Sequence, residues 1–125
     1  IGDAYMCVSG LDKSQKSPQT NLINVAQEII EFLEERNKIS NNIWRIRIGI
    51  ASGDSVGGIV GKSKYLFDLF GDAVNTAARM ESHSEPQRIN IDEKTFQKVE
   101  QQYQFTKREM TFVKGKGEMQ MYFLN

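Results

Sequence analysis

One cysteine, one histidine and no net charge are the first features of this sequence, and each scarcity closes off a class of function. Cys7 is alone, so no internal disulfide can form, which suits a reducing compartment. No Cys/His metal-ligand spacing and no Ser/His/Asp arrangement can be assembled from so few of these residues. His83, in a Ser-His-Ser-Glu-Pro stretch, reads as a structural loop residue rather than a base. The 16 Lys and Arg are balanced by 16 Asp and Glu, so the chain has no long-range field to gather nucleic acid or an acidic membrane. Any polyanion must be gripped by local clusters. No apolar run approaches the ~20 residues needed to cross a bilayer, and no stretch has a signal-peptide pattern. The glycines at 53, 57, 58 and 61 lack the order of a P-loop.

What is present fits one domain: 125 residues can bury a single core. Residues 1–9 read as strand, tight turn at Gly2-Asp3 and second strand, with Cys7 a buried strand residue. A domain rarely opens inside a hairpin, so further residues are expected upstream. A polar loop over 10–20 leads to a helix over 21–37, whose apolar stripe is Leu22, Val25, Ala26, Ile29, Ile30, Phe32 and Leu33. Trp44 to Ser52 alternates as a strand, with Arg45 and Arg47 on its polar face. A glycine-punctuated, hairpin-like segment follows, then a short strand over 65–70. Asp72 is placed to cap a helix to about Ser82. Residues 88–91 form a strand, and Asp92 caps a short helix to about Val99. Stretches 108–113 and 118–124 read as a closing strand pair. This order, ββαββαβαββ, predicts an α+β or α/β sandwich with helices on a mixed sheet.

Four stretches resemble the catalytic domains of class III adenylyl and guanylyl cyclases. They are Ile1-Gly2-Asp3-Ala4-Tyr5-Met6, Arg47-Ile48-Gly49-Ile50-Ala51-Ser52-Gly53, the run from Phe67 through Asp72 and Asn75 to Met80, and Val113-Lys114-Gly115-Lys116-Gly117-Glu118-Met119. Their order and spacing match, and the likeness covers residues 1–125. It implies an α+β, ferredoxin-like βαββαβ sandwich without its first strand and helix, working as a head-to-tail homodimer with active sites between protomers. Ala51 stands where the family commonly has His, at a position outside the usual catalytic scheme.

The resemblance assigns roles position by position. Asp3 would help to bind two Mg²⁺ or Mn²⁺ ions per site, and a carboxylate is the hard oxygen ligand such ions take; without the flanking motif it reads as a turn Asp bonded to its own backbone. Arg47 would contact nucleotide phosphates, where a planar guanidinium is suited. Asp68, set among Phe67, Leu69 and Phe70, is costly unless partnered. At its position an Asp accepts the adenine 6-amino group, whereas guanylyl cyclases often carry Cys. The family's second base reader falls just before Ile1. Asn75 and Arg79 share a helix face, the Asn orienting the ribose and the Arg stabilising charge on the α-phosphoryl group. Lys114 would hold the terminal phosphates, and Lys116 would add only field.

The implied activity is conversion of ATP to 3′,5′-cyclic AMP and pyrophosphate. Arg47 and the metals would come from one protomer, and Asp68, Asn75, Arg79 and Lys114 from the other. The alternatives are a guanylyl cyclase and a non-catalytic, cyclase-derived dimerisation or nucleotide-sensing module. The expected setting is cytoplasmic, with no membrane contact by this segment and room for a membrane anchor in the parent protein. The 125 residues alone are expected to be inactive.

Overall fold

A computed structural model describes residues 3–11, 14, 17–53, 56–60 and 66–125, with 56–60 and 66–70 described as backbone. The chain divides into two compact units, residues 1–44 and 45–125.

In the first unit, helix α1 (Pro18–Ile39) starts with a proline in its first turn, where no intrahelical N–H bond is lost. Gly10 precedes it at φ +93°, and a Cβ there would sit 3.0 Å from Pro18 Cβ, so both backbone angle and space require glycine. Ile23, Ala26 and Leu33 are buried, but Val25 and Phe32, expected on the same stripe, are exposed. Val25 and Phe32 are seven residues apart and share a second line on the helix, displaced from the buried one.

Beyond α1 the Asn37 amide donates to Trp44 O at 2.7 Å and accepts from Trp44 N at 3.0 Å. The Arg36 guanidinium lies 4.9 Å from the centre of the Trp44 ring. These contacts fold residues 40–44 back along the helix and take Trp44 out of the strand predicted over 44–52. The hairpin predicted over 1–9 is not formed at its described residues. Asp3 lies in a turn, residues 4–10 have no regular structure, and Cys7 is exposed. Tyr5 and Met6 are also exposed, so no buried face pins a strand register there.

The second unit contains β1 (Ile48–Ile50), β2 (Val56–Val60), β3 (Leu66–Phe70), α2 (Asp72–Ser82), β4 (Ile89–Asp92), α3 (Glu93–Val99), β5 (Phe105–Lys107), β6 (Thr111–Val113), β7 (Gly117–Met119) and β8 (Met121–Leu124). A mixed four-stranded sheet runs β1-β4-β8-β5. β1 and β4 are parallel, as the crossover through α2 demands, and the other pairs are antiparallel. β2–β3 and β6–β7 are separate two-stranded hairpins.

Every residue of β4 and β8 is buried, because helices cover both faces of the sheet. On one face Asn90 donates to Met80 O of α2 at 3.0 Å. On the other, Phe96 of α3 stacks on Tyr122, with ring centres 3.7 Å apart. Met80, Val113 and Met121 are fully buried together, so the β6–β7 hairpin is tied to α2 and β8 through one cluster. Burial of a methionine side chain of this kind contributes about 2 kcal/mol.

The closing strand pair differs from expectation. Residues 117–119 pair with 111–113, while 121–124 enter the main sheet between β4 and β5. Gln120 marks the switch, its amide donating to Arg108 O and Met121 O. β5 lies in what the sequence reads as a loop. Its three residues have a mostly exposed pattern and depend on pairing with β8.

Asp92 caps α3 as expected, accepting from Thr95 N at 3.0 Å and Thr95 Oγ1 at 2.6 Å. Burial pushes its carboxyl above the usual range, against those hydrogen bonds. The folded chain therefore holds this proton at pH values where the unfolded chain has released it. The contribution to stability falls as pH rises from about 4 through the raised pKa. Asp92→Asn keeps an acceptor for Thr95 and removes the buried charge. Urea unfolding of both proteins at pH 4 and pH 7 is expected to favour the variant more at pH 7 than at pH 4. A difference independent of pH would contradict this origin.

Candidate active site

Among the described residues of the second unit, two short segments border a cleft. The first is α2. Gly71, at φ +130°, turns the chain out of β3 into the helix, and Thr76 Oγ1 donates back to Asp72 O at 2.8 Å. The inner side of α2 carries Thr76 and Met80, both buried, and the small Ala73 and Ala77. A Cβ on Gly49 of β1 would stand 2.0 Å from Glu81 N and 2.6 Å from Ala77 O. The helix backbone thus rests directly on the strand. Asn75 and Arg79, one turn apart, are exposed on the outer side. The far end of the helix is held by Asn90, which satisfies the Met80 carbonyl where the intrahelical ladder ends.

The second segment is the β6–β7 turn, Lys114-Gly115-Lys116. Gly115 and Gly117 adopt φ +82° and +83° in open space. Between turn and helix lies an open cleft of about 500 Å³, lined by Asp72, Asn75, Arg79, Ser82, Lys114 and Lys116. Its lining carries three cations, Arg79, Lys114 and Lys116, and one carboxylate, Asp72. Such a set, joined by an amide that both donates and accepts, suits a substrate with several phosphate oxygens.

The structure therefore brings together Asn75, Arg79 and Lys114 of the residues singled out from sequence. Arg47 does not line this cleft. Its Nη2 lies 3.1 Å from Glu81 Oε2 at the other edge of α2, an ion pair whose N–H is not aimed for a hydrogen bond. Asp68 lies mid-strand in β3, opposite Gly58 of β2, and its side chain is outside the described residues. Asp3 is an exposed turn residue of the first unit. Its carboxylate has the right donor chemistry for a divalent cation, but among the described residues no three potential ligands gather.

Two contributors were not recognised from sequence. Lys116, read as adding only field, is ion-paired with Asp72, and its side chain is 19% exposed. Asp72 is correspondingly the first residue of α2 rather than its cap, and Gly71 stands at the N-cap position. Asn90, a polar residue between Ile89 and Ile91, was the visible signal for the other.

Residues 1–125 match the adenylate and guanylate cyclase catalytic domain along their whole length. The chain belongs to this cyclase family. Guanylate cyclase 32E of Drosophila melanogaster is 42% identical over 130 residues, covering 99% of this chain and 11% of that protein. An adenylate cyclase of Mycobacterium tuberculosis is 31% identical over 123 residues, covering 98% of this chain and 28% of that protein. This chain thus spans less than a third of the length of these relatives. Among solved structures, the guanylate cyclase domain of RhGC from Catenaria anguillulae in complex with GTP superposes with a TM-score of 0.86 at 32% identity, covering 94% of this chain and 64% of that one. The catalytic core of a rhodopsin-guanylyl cyclase with converted specificity, in complex with ATPαS, gives 0.83 at 33% identity. The α+β fold with its mixed sheet is that of class III cyclases. Relatives of both nucleotide specificities match, so likeness alone leaves the base undecided.

Proposed function

We propose that residues 1–125 belong to the catalytic domain of an adenylyl cyclase, which converts ATP to 3′,5′-cyclic AMP and pyrophosphate. The observation that carries this reading is the convergence of Asn75, Arg79 and Lys114 on one cleft. The ribose 3′-oxygen attacks the α-phosphorus as its proton leaves, and the bond to the bridging oxygen breaks to release pyrophosphate. Arg79 stabilises charge developing on the α-phosphoryl oxygens, Asn75 orients the ribose, and Lys114 holds the terminal phosphates. Arg47 sits at the opposite edge of α2, where it can serve the cleft of a second copy in a two-fold, head-to-tail homodimer. Asp3 is the carboxylate offered to Mg²⁺ or Mn²⁺, which when bound lowers the pKa of the 3′-hydroxyl and neutralises the triphosphate. The domain is assigned to the cytoplasm. Among the described residues no helix is long and apolar enough to cross a membrane.

ATP is preferred because of Asp68. An ionised carboxylate only accepts hydrogen bonds, so it suits the adenine 6-amino group and opposes guanine O6. The test is kcat/KM for ATP and GTP, using the domain within its parent protein. Wild type is expected to favour ATP. Asp68→Cys is expected to reduce the ATP-to-GTP ratio by about 100-fold. A wild-type preference for GTP would instead support a guanylyl cyclase, the reading favoured by the 42% identity to Guanylate cyclase 32E.

A further inference from the structure

We propose that the Lys116–Asp72 ion pair is a latch that holds the β6–β7 turn against the first turn of α2, making Lys116 and Asp72 positioning residues for Lys114. The inference rests on the cyclase reading insofar as Lys114 is taken to grip the terminal phosphates. Among the described residues the turn has little else to hold it. A Cβ on Gly115 or Gly117 would meet nothing within 4 Å, so no packing surrounds its glycines. Its internal bond is Lys116 N to Val113 O at 2.9 Å, which closes the turn without fixing it to the helix. Val113 anchors one side in the core with Met80 and Met121. On the cleft side the tie is Lys116, whose side chain is mostly buried although its partner is 77% exposed.

Asp72 is suited to the other half. It opens α2, where a carboxylate is favoured by the helix dipole. Its backbone is pinned by Thr76 Oγ1, and its carboxylate reaches across to Lys116. Among the described residues Lys114 makes no ion pair, so its ammonium is available to a ligand in the cleft that the latch borders. A pair of this kind divides labour within Lys-Gly-Lys: the second lysine is neutralised by the protein, and the first carries the charge offered to phosphate. Gly115 between them leaves the approach open.

The rival role for Lys116 is direct phosphate binding, and Asp72→Asn separates the two. If Lys116 were a ligand, removing its partner would free it and tighten binding. If it is a latch, removing its partner releases the turn and weakens binding. The proteins to compare are the parent cyclase and its Asp72→Asn, Lys116→Gln and reversed-pair (Asp72→Lys with Lys116→Asp) variants. Three readouts are taken: KM and kcat for ATP, calorimetric binding of inorganic tripolyphosphate, and amide hydrogen exchange over residues 114–117.

Both single variants are expected to raise KM and the tripolyphosphate dissociation constant on the order of fivefold, with kcat little changed. They should also speed exchange in the turn, and the reversed pair should recover most of each effect. A fall in either constant for Asp72→Asn, or unchanged exchange in both single variants, overturns the latch. Exchange and tripolyphosphate binding do not need turnover. A protein that cyclises neither nucleotide yet shows these two effects keeps the latch and loses the cyclase reading. Normal cyclisation with unchanged exchange does the reverse.

Discussion

Arg79→Ala is expected to lower kcat about 100-fold while the protein stays folded. Arg79 lies on the exposed face of α2, so truncating it removes little packing. What it removes is a planar donor aimed into the cleft beside Asn75 and Lys114. A donor held where transition-state charge develops is worth about 3 kcal/mol, and each ~1.4 kcal/mol is tenfold in rate. Asn75→Ala is expected to lose turnover in the same way, with the fold intact. Arg79→Lys should recover only part of the loss, because an ammonium cannot present two parallel donors. Single-turnover rates at saturating nucleotide, with thermal melts of the same samples, provide the check. Full activity in both alanine variants would remove the proposed roles.

Gly49→Ala is expected to have the largest effect on stability. The added methyl would stand 2.0 Å from Glu81 N, 2.5 Å from Met80 C and 2.6 Å from Ala77 O. These are backbone atoms of α2, which no rotamer change can clear. Either the helix lifts from β1 or the strand leaves its register with β4, in which Gly49 pairs with Asn90. Overpacking a core commonly costs 1–3 kcal/mol, and a clash with helix backbone belongs at or above the top of that range, about 3 kcal/mol. That is a large part of the ~5–15 kcal/mol by which domains are stable. Gly115→Ala is the control, since its Cβ would meet nothing within 4 Å. Its strain comes only from φ +82°, and its cost should be about 1–2 kcal/mol. Urea unfolding of both variants should rank them in this order. The reverse ranking would mean that α2 does not rest on β1 as described.

The two predictions draw on different levels of legibility. Helix α2 could be read closely from sequence, because Asp72 to Ser82 carries small and apolar residues on one side and Asn75 and Arg79 on the other. The Asp92 cap was legible for a similar reason: its hydrogen bond spans three residues and needs no distant partner. β5 was not legible, since three half-exposed residues become a strand only when β8 supplies the ladder. Nor was the exposure of Phe32 and Cys7, because an apolar residue has no local signal for whether another segment covers it. The tie between Lys116 and Asp72 was equally invisible, as 44 residues separate its ends.

For this protein the sequence alone determined the cyclase family, the α+β class and the α2 face that carries Asn75 and Arg79. These depend on motif order and on spacings within a single helix turn or loop, where chain geometry leaves few choices. Tertiary structure alone decided that Lys114 meets Asn75 and Arg79 across a cleft, that Arg47 is held apart at the other edge of the helix, and that Lys116 is spent on Asp72. Those outcomes depend on how closely α2 approaches β1 and where the β6–β7 hairpin docks. Both distances are set by packing among residues far apart in the chain.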